Sequence, residues 1–340
     1  MAVGVVIVTY NAADIVVDCL ESLLASQGAD LRIVVVDNAS QDDTLATIRG
    51  WARGGSTFDG SGKPFQPVPH GPVGLVEDSQ TIEHLPEGKV GLISLARNAG
   101  FAAGVNAGLR SLLAMPEVEY FWILNPDCMV ENRTAEILVN RAREVGRFAV
   151  IGGRIYYVTP KHMIQSDGGR VNFWSGICTP FNMTRIGRDV PPPAPADLDY
   201  VTGAHMLVSR EFIARAGLMP ESYFLYYEEV DWCLRRGDLP LIPCPEAAVH
   251  HHGGHSIGSA TINQGPSPLS AYFLARNRMK FVARHRFYAL PYAWGYGFLK
   301  ALRFLWRGHR AAGFATLRGI LGVGPNRDTL ARIGLISLKP

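Results

Sequence analysis

An amide and a carboxylate stand two positions apart in the segment Asn125-Pro126-Asp127, directly after a predicted strand. Pro126 stiffens the turn between them. Oxygen ligands of this kind suit Mg²⁺ or Mn²⁺ bridging a diphosphate, with substrate oxygens and waters completing the shell. The alternative is a strand-end turn whose Asx side chain caps the following helix. The segment is a candidate metal site.

Three carboxylates, Glu228, Glu229 and Asp231, lie within four residues and are flanked by tyrosine and tryptophan side chains. Crowded and partly desolvated carboxylates raise one another's pKa, which suits a general base that works near neutral pH. The alternative is that the acids form the solvated first turn of a helix, where the helix dipole favours negative charge. This cluster is the candidate catalytic base.

Four histidines, His250, His251, His252 and His255, occur within six residues. They could ligate a metal or contact phosphate, and adjacent histidines point in different directions, so one or two would converge on a site. A structural zinc site is not favoured because no cysteine pair stands nearby. The alternative is a polar loop whose histidines have no ligand.

Polar residues also follow other predicted strands. Asp37 could accept hydrogen bonds from a ribose or a pyrimidine imide, or it could cap the helix that follows. Arg97 and Asn98 could reach a phosphate or hold Asp127 in place. Ligands of parallel sheets bind at the carboxyl ends of the strands, where Asn11 and the residues named here all fall.

The elements that position these residues follow from an alternation of buried β-branched runs with helical periodicity. The alternation predicts an α/β fold with a mostly parallel Rossmann-like sheet flanked by helices. Predicted strands cover 3–8, 33–36, 90–95, 120–124 and 200–209, and predicted helices cover 15–24, about 40–51, 100–113, 133–145 and much of the chain beyond 268.

Residues 53–88 are rich in Gly and Pro and predict an inserted surface loop. Gly100, Gly104 and Gly108 are four apart, which predicts one closely packed helix face and does not form a G-x-G-x-x-G dinucleotide motif. We expect a catalytic domain over 1–265, with a nucleotide-binding half at about 1–128 and an acceptor half at about 129–265. A helical, basic and aromatic region follows at 266–340.

The composition, 47% hydrophobic and 19% charged, is that of a folded globular chain. Residues 247–340 hold 13 Lys and Arg against one acidic residue, which suggests that this part meets something anionic. The five cysteines form no C-x-x-C pair, which favours free thiols in a reducing compartment. The first residues read as a buried strand without a basic leader, and no apolar stretch reaches the length of a membrane span.

Seven segments resemble, in order, the motifs of family-2 glycosyltransferases of the GT-A fold, especially the rhamnosyltransferase-like branch. They span about residues 3–256 and read VGVVIVTYN, IVVVDNASQDDT, LARNAGFAAGVNAGL, FWILNPD, YVTGAHMLVSREFI, YFLYYEEVDWCLR and AVHHHGGHS. Each motif is modest alone, and the ordered set is a strong signal. The resemblance implies an inverting, single-displacement transfer of a sugar from a nucleotide-diphosphate donor to a hydroxyl.

The resemblance also implies roles on the donor side. Asp37 would bind the nucleoside, and Thr9 and Asn11 would line the same pocket. Asn125 and Asp127 stand where the family has its D-x-D metal motif. The nucleotide-sugar site would also include Arg97 and Asn98, and the implied cofactor is Mg²⁺ or Mn²⁺.

On the acceptor side, Glu229 stands at the position of the family's base, with Asp231 nearby as a second catalytic candidate. His250 matches a histidine that assists the metal or the diphosphate. The acceptor would lie near Gly203, Ala204 and Glu228. The chain departs from the family in having Asn125 as the first D-x-D residue, Glu rather than Asp as the base, and a longer 53–88 loop.

The expected partners are a nucleotide-diphosphate sugar, with dTDP-rhamnose favoured over UDP-GlcNAc, UDP-Glc or UDP-Gal, and a lipid-linked or glycan acceptor in cell-surface glycan synthesis. The basic-aromatic C-terminal region predicts peripheral attachment to an anionic membrane surface, on the cytoplasmic side of the cell membrane, and no nucleic acid. Alternatively, its aromatics pack on the catalytic domain and its arginines are merely solvated. More distant alternatives are a nucleotidyltransferase and a non-catalytic carbohydrate-binding protein.

Overall fold

The computed structural model describes residues 2–54, 60–253 and 267–335. The strands in these ranges are β1 (Ala2–Thr9), β2 (Asp30–Asp37), β3 (Gly74–Asp78), β4 (Lys89–Ser94), β5 (Val118–Leu124), β6 (Cys128–Val130), β7 (Val150–Tyr157), β8 (Ile164–Ser166), β9 (Gly169–Asn172), β10 (Ile177–Pro180), β11 (His205–Ser209) and β12 (Leu241–His251). The helices are α1 (Val16–Leu24), α2 (Thr44–Ala52), α3 (Phe101–Leu113), α4 (Thr134–Val145), α5 (Arg210–Ala216), α6 (Glu228–Leu234), α7 (Pro268–His285), α8 (Leu290–Trp306), α9 (Arg310–Ile320) and α10 (Arg327–Arg332).

One sheet carries the strand-end residues. Its strand order is β3-β4-β2-β1-β5-β11-β7-β12-β6, with β8 beside β7. The first five strands are mutually parallel, whereas β11 runs antiparallel to both of its neighbours. The predicted GT-A class, a mostly parallel sheet flanked by helices with C-terminal helices added, is confirmed.

Both faces of the parallel part are covered, which explains why its strands are continuously apolar. Alternate residues of β1 point to opposite faces: Val6 and Val8 pack with α3, and Val5 and Ile7 pack with α1. All eight residues of β1 are buried. This two-sided burial keeps the carboxyl end of the sheet fixed.

The predicted close packing of α3 is confirmed at two glycines. A Cβ at Gly104 would lie 2.5 Å from a Val8 methyl group, and one at Gly108 would lie 2.6 Å from a Val6 methyl group. Only glycine lets α3 approach β1 so closely. The helix therefore begins directly behind the end of β1.

The prediction of a plain surface loop over 53–88 is wrong in part. Residues Gly74–Asp78 form β3, which pairs in parallel with β4 at the sheet edge. Ile82 and Leu85 of the same segment are buried. The alternation of β3 is weak because an edge strand with an exposed face needs few apolar residues. The predicted strand at 200–209 shortens to β11, and Tyr200 instead forms an isolated antiparallel bridge with Gly169.

The C-terminal helices form a second layer against the segment before α6. Leu269, Tyr272 and Phe273 of α7 share an apolar cluster with residues of α9 and with Leu225. The hydroxyl of Tyr10 donates to the carbonyl of Arg332 at 2.9 Å, which joins the end of α10 to the loop after β1. All five cysteines are free thiols. Among the helices described, none is both long and apolar enough to cross a membrane.

Candidate active site

The carboxyl ends of β1 and β2 form one side of the site. The two strands place Thr9 beside Asp37, and the Thr9 hydroxyl donates to Asp37 Oδ1 at 3.0 Å. Asp37 is 1% exposed and also accepts the Ser40 N–H at 2.9 Å. Asn11, at φ 50°, accepts the Gln41 N–H at 2.8 Å. The structure thus brings Thr9, Asn11 and Asp37 together, in a turn of the kind that the capping alternative describes.

Arg97 and Asn98 follow β4 at the same edge. Asn98 is buried and accepts the Gly100 N–H at 3.0 Å, and the Asn38 amide donates to the Gly100 carbonyl at 3.0 Å. Arg97 is exposed and makes no ion pair with any described residue. These hydrogen bonds therefore fix the loop, while the guanidinium of Arg97 stays available to an anion.

The turn between β5 and β6 holds Asp127 against a histidine. Asp127 is 8% exposed, and its Oδ1 lies 2.9 Å from His251 Nε2. The Asn125 amide nitrogen lies 3.3 Å from the same Nε2, and His251 Nδ1 lies 2.6 Å from Gln165 Oε1. Gln165 thus sets the orientation of the imidazole that faces both predicted metal ligands.

His251 determines the ionisation of Asp127. Burial opposes the ionisation of Asp127, but the charge and hydrogen bond of His251 outweigh it and hold the pKa of Asp127 below its ordinary value. Burial raises the pKa of the neighbouring Cys128 thiol well above its ordinary value. Cys128 Sγ lies within 4.8 Å of the Asp127 and His251 ligand atoms and donates to the Ala204 carbonyl.

Asn125, Asp127 and His251 fit a divalent cation. Two adjacent ligands that are each about 2.1 Å from Mg²⁺ in octahedral geometry lie about 3 Å apart, and the two paired atoms of Asp127 and His251 are 2.9 Å apart. A carboxylate, an imidazole and an amide that can turn its oxygen inward suit Mg²⁺ or Mn²⁺.

His250, the predicted metal-assisting histidine, lies elsewhere. Successive residues of a strand point to opposite faces, and His250 Nε2 is 3.1 Å from Glu131 Oε1. Glu131 also pairs with Arg188, and these three residues line a separate cavity of about 370 Å³. The structure therefore corrects the metal set by placing His251 where His250 was expected.

The other two histidines of the cluster contribute less to this geometry. The backbone N–H of His252 donates to the Asp127 carbonyl at 3.1 Å, which ties the end of β12 to the turn. His255 lies outside the described residues.

Helix α6 carries the acidic cluster in its first turn, as the alternative expected, but Glu228 is buried and Glu229 is only partly exposed. Burial raises the pKa of Glu228 well above its ordinary value, and the charge of Glu229 raises it further. Glu228 is 3% exposed, and its Oε2 has no hydrogen-bond partner within the described ranges. Burial thus favours the neutral form of Glu228.

Glu229 differs from Glu228 in its access to a cavity and in its pKa. Burial raises the pKa of Glu229 to about 7, although backbone N–H groups at the start of α6 favour its charged form. A carboxyl group with such a pKa can take up a proton near neutrality. Glu229 therefore has the properties predicted for the base.

Asp231, the second catalytic candidate, is turned away from that cavity. Its Oδ1 accepts from His285 Nε2 at 2.6 Å, and its Oδ2 accepts from Arg235 at 2.7 Å and from Arg284 at 3.0 Å. Burial opposes its ionisation, but these donors lower its pKa below the ordinary value. The geometry corrects its assignment: Asp231 fastens α6 to α7.

A cavity of about 430 Å³ joins the two sides of the site, because both Glu229 and His251 line it. The remaining wall comes from the β7–β10 region, from residues before α6, and from α7, α8 and α9. Its polar lining includes Gln165, Ser166, Tyr200, Thr202, Tyr226, Tyr227, Arg278, Tyr296, Lys300 and Thr316. We call this cavity the central pocket.

Gly203 and Ala204 connect the two sides of the central pocket. A Cβ at Gly203 would lie 3.5 Å from Glu229 Cβ. The next carbonyl, of Ala204, accepts the Asn125 N–H at 3.0 Å. The segment before β11 thus spans from the base to the metal turn, where the predicted acceptor-side residues were expected.

The lining residues that were not predicted as site residues include His251 in its specific role, Gln165, Arg278 and Lys300. Strand alternation could have separated His250 from His251 had β12 been recognised through residue 251. Gln165 lies on the short strand β8, which has no clear sequence signal. Arg278 and Lys300 were assigned to a basic surface, because nothing local distinguishes them from exposed cations.

Comparisons with known proteins point the same way. Residues 4–62 match the model of the family described as "Glycosyl transferase family 2". The chain is 24% identical over 271 residues to N-acetylglucosaminyl-diphospho-decaprenol L-rhamnosyltransferase of Mycobacterium tuberculosis, covering 75% of this chain and 77% of that protein. The recognition made from the seven motifs is confirmed.

Another relative is the low-salt glycan biosynthesis hexosyltransferase Agl10 of Haloferax volcanii, 26% identical over 163 residues. That alignment covers 46% of this chain and spans only about half of Agl10, 49%. Among solved structures, GalNAc-T7 with UDP, GalNAc and Mn²⁺ has a TM-score of 0.50 at 14% identity, over 82% of this chain and 51% of that one. This likeness concerns the fold alone.

Proposed function

We propose that this chain, a family-2 glycosyltransferase, moves a sugar with inversion from a nucleotide-diphosphate donor to a hydroxyl of a lipid-linked or polysaccharide acceptor, in cell-surface glycan synthesis. One observation carries the proposal: Glu229 and His251, the partner of Asp127, line the same pocket of about 430 Å³. A single displacement at the sugar carbon requires a base and a site that holds the departing diphosphate. Here the candidate base and the candidate metal site border one pocket.

The donor would lie along the carboxyl edge of the sheet. Thr9, Asn11 and Asp37 would line the nucleoside pocket, and the exposed Arg97 would contact a phosphate. Asn125, Asp127 and His251 would hold Mg²⁺ or Mn²⁺, which when bound supplies positive charge beside the departing diphosphate. The protein itself contributes one carboxylate there, so metal and donor bind best together.

The acceptor would enter the central pocket opposite the diphosphate. Glu229, with a pKa of about 7, takes the proton of the acceptor hydroxyl while that oxygen attacks the sugar carbon. The bond to the diphosphate breaks from the other face, and the configuration inverts. Burial raises the pKa of Glu228 well above its ordinary value, and Glu228 does not line the central pocket, so Glu229 is the carboxyl group that meets the acceptor.

The donor sugar is proposed from similarity. The rhamnosyltransferase relative covers more of the chain than the hexosyltransferase does, which favours dTDP-rhamnose. UDP-GlcNAc, UDP-Glc and UDP-Gal are the alternatives.

A panel of nucleotide sugars tests the proposal, each incubated with and without Mn²⁺ or Mg²⁺ and scored for release of nucleoside diphosphate. We expect metal-dependent release from one sugar class, dTDP-rhamnose first, and its loss in Glu229→Gln. Pyrophosphate release from a nucleoside triphosphate would instead indicate a nucleotidyltransferase, and no turnover of any donor would reject the transferase proposal.

We also propose peripheral attachment to the cytoplasmic face of the cell membrane. Large apolar side chains of the C-terminal helices face outward: Phe287 is 71% exposed, Leu299 66% and Trp306 86%. Exposed Arg303, Arg307 and Arg310 flank them, and aromatic-basic faces of this kind bind anionic lipid surfaces. Sedimentation with anionic vesicles at low salt tests this, and failure to bind would reject it.

A further inference from the structure

The central pocket contains a buried arginine whose guanidinium is not fully hydrogen-bonded within the described residues. Arg278 of α7 is 5% exposed, and its Nε and Nη2 have no hydrogen-bond partner in the described part of the chain. It makes no ion pair with any described carboxylate, including Glu229 in the same pocket. A desolvated guanidinium without a counter-charge destabilises a fold. Such a residue therefore indicates a site for an anionic ligand.

The surrounding backbone is shaped to hold this side chain. A Cβ at Gly176 would lie 2.7 Å from Arg278 Cγ, and one at Gly297 would lie 2.5 Å from Arg278 Nη2. Two glycines from different elements therefore leave space for the stem and for the head. The guanidinium also lies 5.1 Å from the centre of the Tyr296 ring, which fixes its plane without satisfying its N–H groups.

A second cation, Lys300, stands on the same wall. It follows Tyr296 by one turn of α8 and lines the pocket, with its Nζ 5.9 Å from the centre of the Phe304 ring. Burial, and then the charge of Arg278, lower the pKa of Lys300 from its ordinary value. Within the described ranges Glu229 is the only carboxylate that lines the pocket, and it pairs with neither cation.

We propose that Arg278 and Lys300 form a binding site for a phosphate or diphosphate ester on the acceptor side of the central pocket. The two cations match the charge of such a group, and guanidinium N–H groups suit phosphate oxygens. The term acceptor side rests on the proposed function, whereas the anion site itself does not. An acceptor joined to its carrier through phosphate would place its sugar hydroxyl toward Glu229.

The same chemistry has two sources. The ester is the diphosphate of a lipid-linked sugar acceptor or the headgroup phosphate of a membrane phospholipid. Both sources fit because the exposed apolar side chains of α8 lie next to the α8 residues that line the pocket. We favour the lipid-linked diphosphate, since it can offer both phosphates to the two cations at once.

The test is a binding measurement on the full chain that needs no donor and no turnover. Titration calorimetry with farnesyl diphosphate, farnesol and dihexanoyl phosphatidylglycerol is carried out in EDTA, which removes any phosphate binding through a metal at Asp127. The variants are Arg278→Met and Lys300→Met. The matched control is Arg276→Met, an exposed arginine on the same helix that does not line the pocket.

We expect farnesyl diphosphate to bind the unaltered protein and each pocket variant to bind it about 10- to 100-fold more weakly, the effect of losing charged hydrogen bonds, with Arg276→Met unchanged. Farnesol should bind weakly to all forms. Equal affinity of every form for farnesyl diphosphate, or tighter binding of farnesol, would overturn the site. Equal loss for phosphatidylglycerol would support the site and assign it to a headgroup.

Thermal unfolding separates a ligand site from a structural arginine. Because Nε and Nη2 of Arg278 have no hydrogen bond to lose in the described part of the chain and a methionine can still pack against the Tyr296 ring, Arg278→Met should melt at the same or a higher temperature than the unaltered protein without ligand. A lower melting temperature for Arg278→Met, together with unchanged binding in Lys300→Met, would mean that the arginine serves the fold. If no nucleotide sugar is turned over but farnesyl diphosphate still binds, the proposed transferase function is rejected and the phosphate-binding site is retained.

Discussion

The two sides of the central pocket differ in how their polar groups are satisfied. On the donor side, Asp37 and Asp127 are each held by short hydrogen bonds to neighbouring side chains. On the acceptor side, buried side-chain atoms of Glu228 and Arg278 have no hydrogen-bond partner among the described residues. The two donor-side carboxylates are thus satisfied within the protein, whereas the acceptor side keeps unsatisfied polar groups, as the proposed acceptor site requires.

The sharpest way to break this comparison is to remove the base on the acceptor side. Glu229→Gln keeps the shape but cannot accept a proton, and kcat should fall by about 10²- to 10⁴-fold while the KM of the donor stays the same. Steady-state release of nucleoside diphosphate measures both. Glu228→Gln is the matched control and should lose far less, since Glu228 does not line the central pocket; equal losses would remove the distinction between the two residues.

A paired group near the acceptor side should behave as scaffold. Asp231→Asn removes the charge that binds His285, Arg235 and Arg284, and breaking a buried ion pair costs about 3–5 kcal/mol of unfolding free energy. Urea unfolding measures this loss. If Asp231→Asn instead kept full stability and lost turnover, Asp231 would return as a catalytic candidate.

The donor side is tested by two adjacent histidines. His251→Asn should raise the metal concentration needed for half-maximal activity by about 10- to 100-fold, because His251 faces Asp127. His250→Asn should change it by less than about threefold, since His250 contacts Glu131 on the other face of β12. A metal titration that gave the opposite order would restore His250 as the ligand.

The smallest effect expected is the response to pH. Since the pKa of Glu229 is about 7, kcat should rise by about fivefold between pH 6 and pH 7 as the base loses its proton. Glu228→Gln should leave the midpoint unchanged. A profile that is flat across this range would mean that Glu229 does not act as the base.

The same pKa has a consequence for stability. A carboxyl group whose pKa rises on folding, here from 4.5 to about 7, binds its proton more tightly in the folded state. It therefore lowers the unfolding free energy as pH rises from about 4.5 to 7. Unfolding of Glu229→Gln should show a weaker decline over this window than the unaltered protein, and parallel curves would contradict the assigned pKa.

The donor side could largely be predicted from the sequence. Thr9 and Asp37 each end a strand with a continuous apolar run, Asp127 lies in the turn directly after β5, and parallel strands bring such ends to one edge. The pattern is local, so no knowledge of tertiary packing was needed. β3 was not predicted because an edge strand shows only a weak alternation of apolar and polar residues.

The acceptor side could be predicted only in part. Glu229 was recognised from its motif, but the direction of Asp231 depends on how α6 packs against α7, and no spacing within α6 reveals this. Arg278 is buried and Lys300 partly buried by contacts between distant helices. In a segment with so many cations, composition cannot show which two point inward.

Helix α8 serves two surfaces at once. Tyr296, Lys300 and Phe304 form the stripe that lines the pocket, and Leu299, Leu302 and Trp306 form the adjoining outward stripe. One residue inserted into this helix would turn everything beyond it by about 100°. Length changes here would therefore alter ligand contact and outer surface together, whereas single substitutions can tune either stripe by itself.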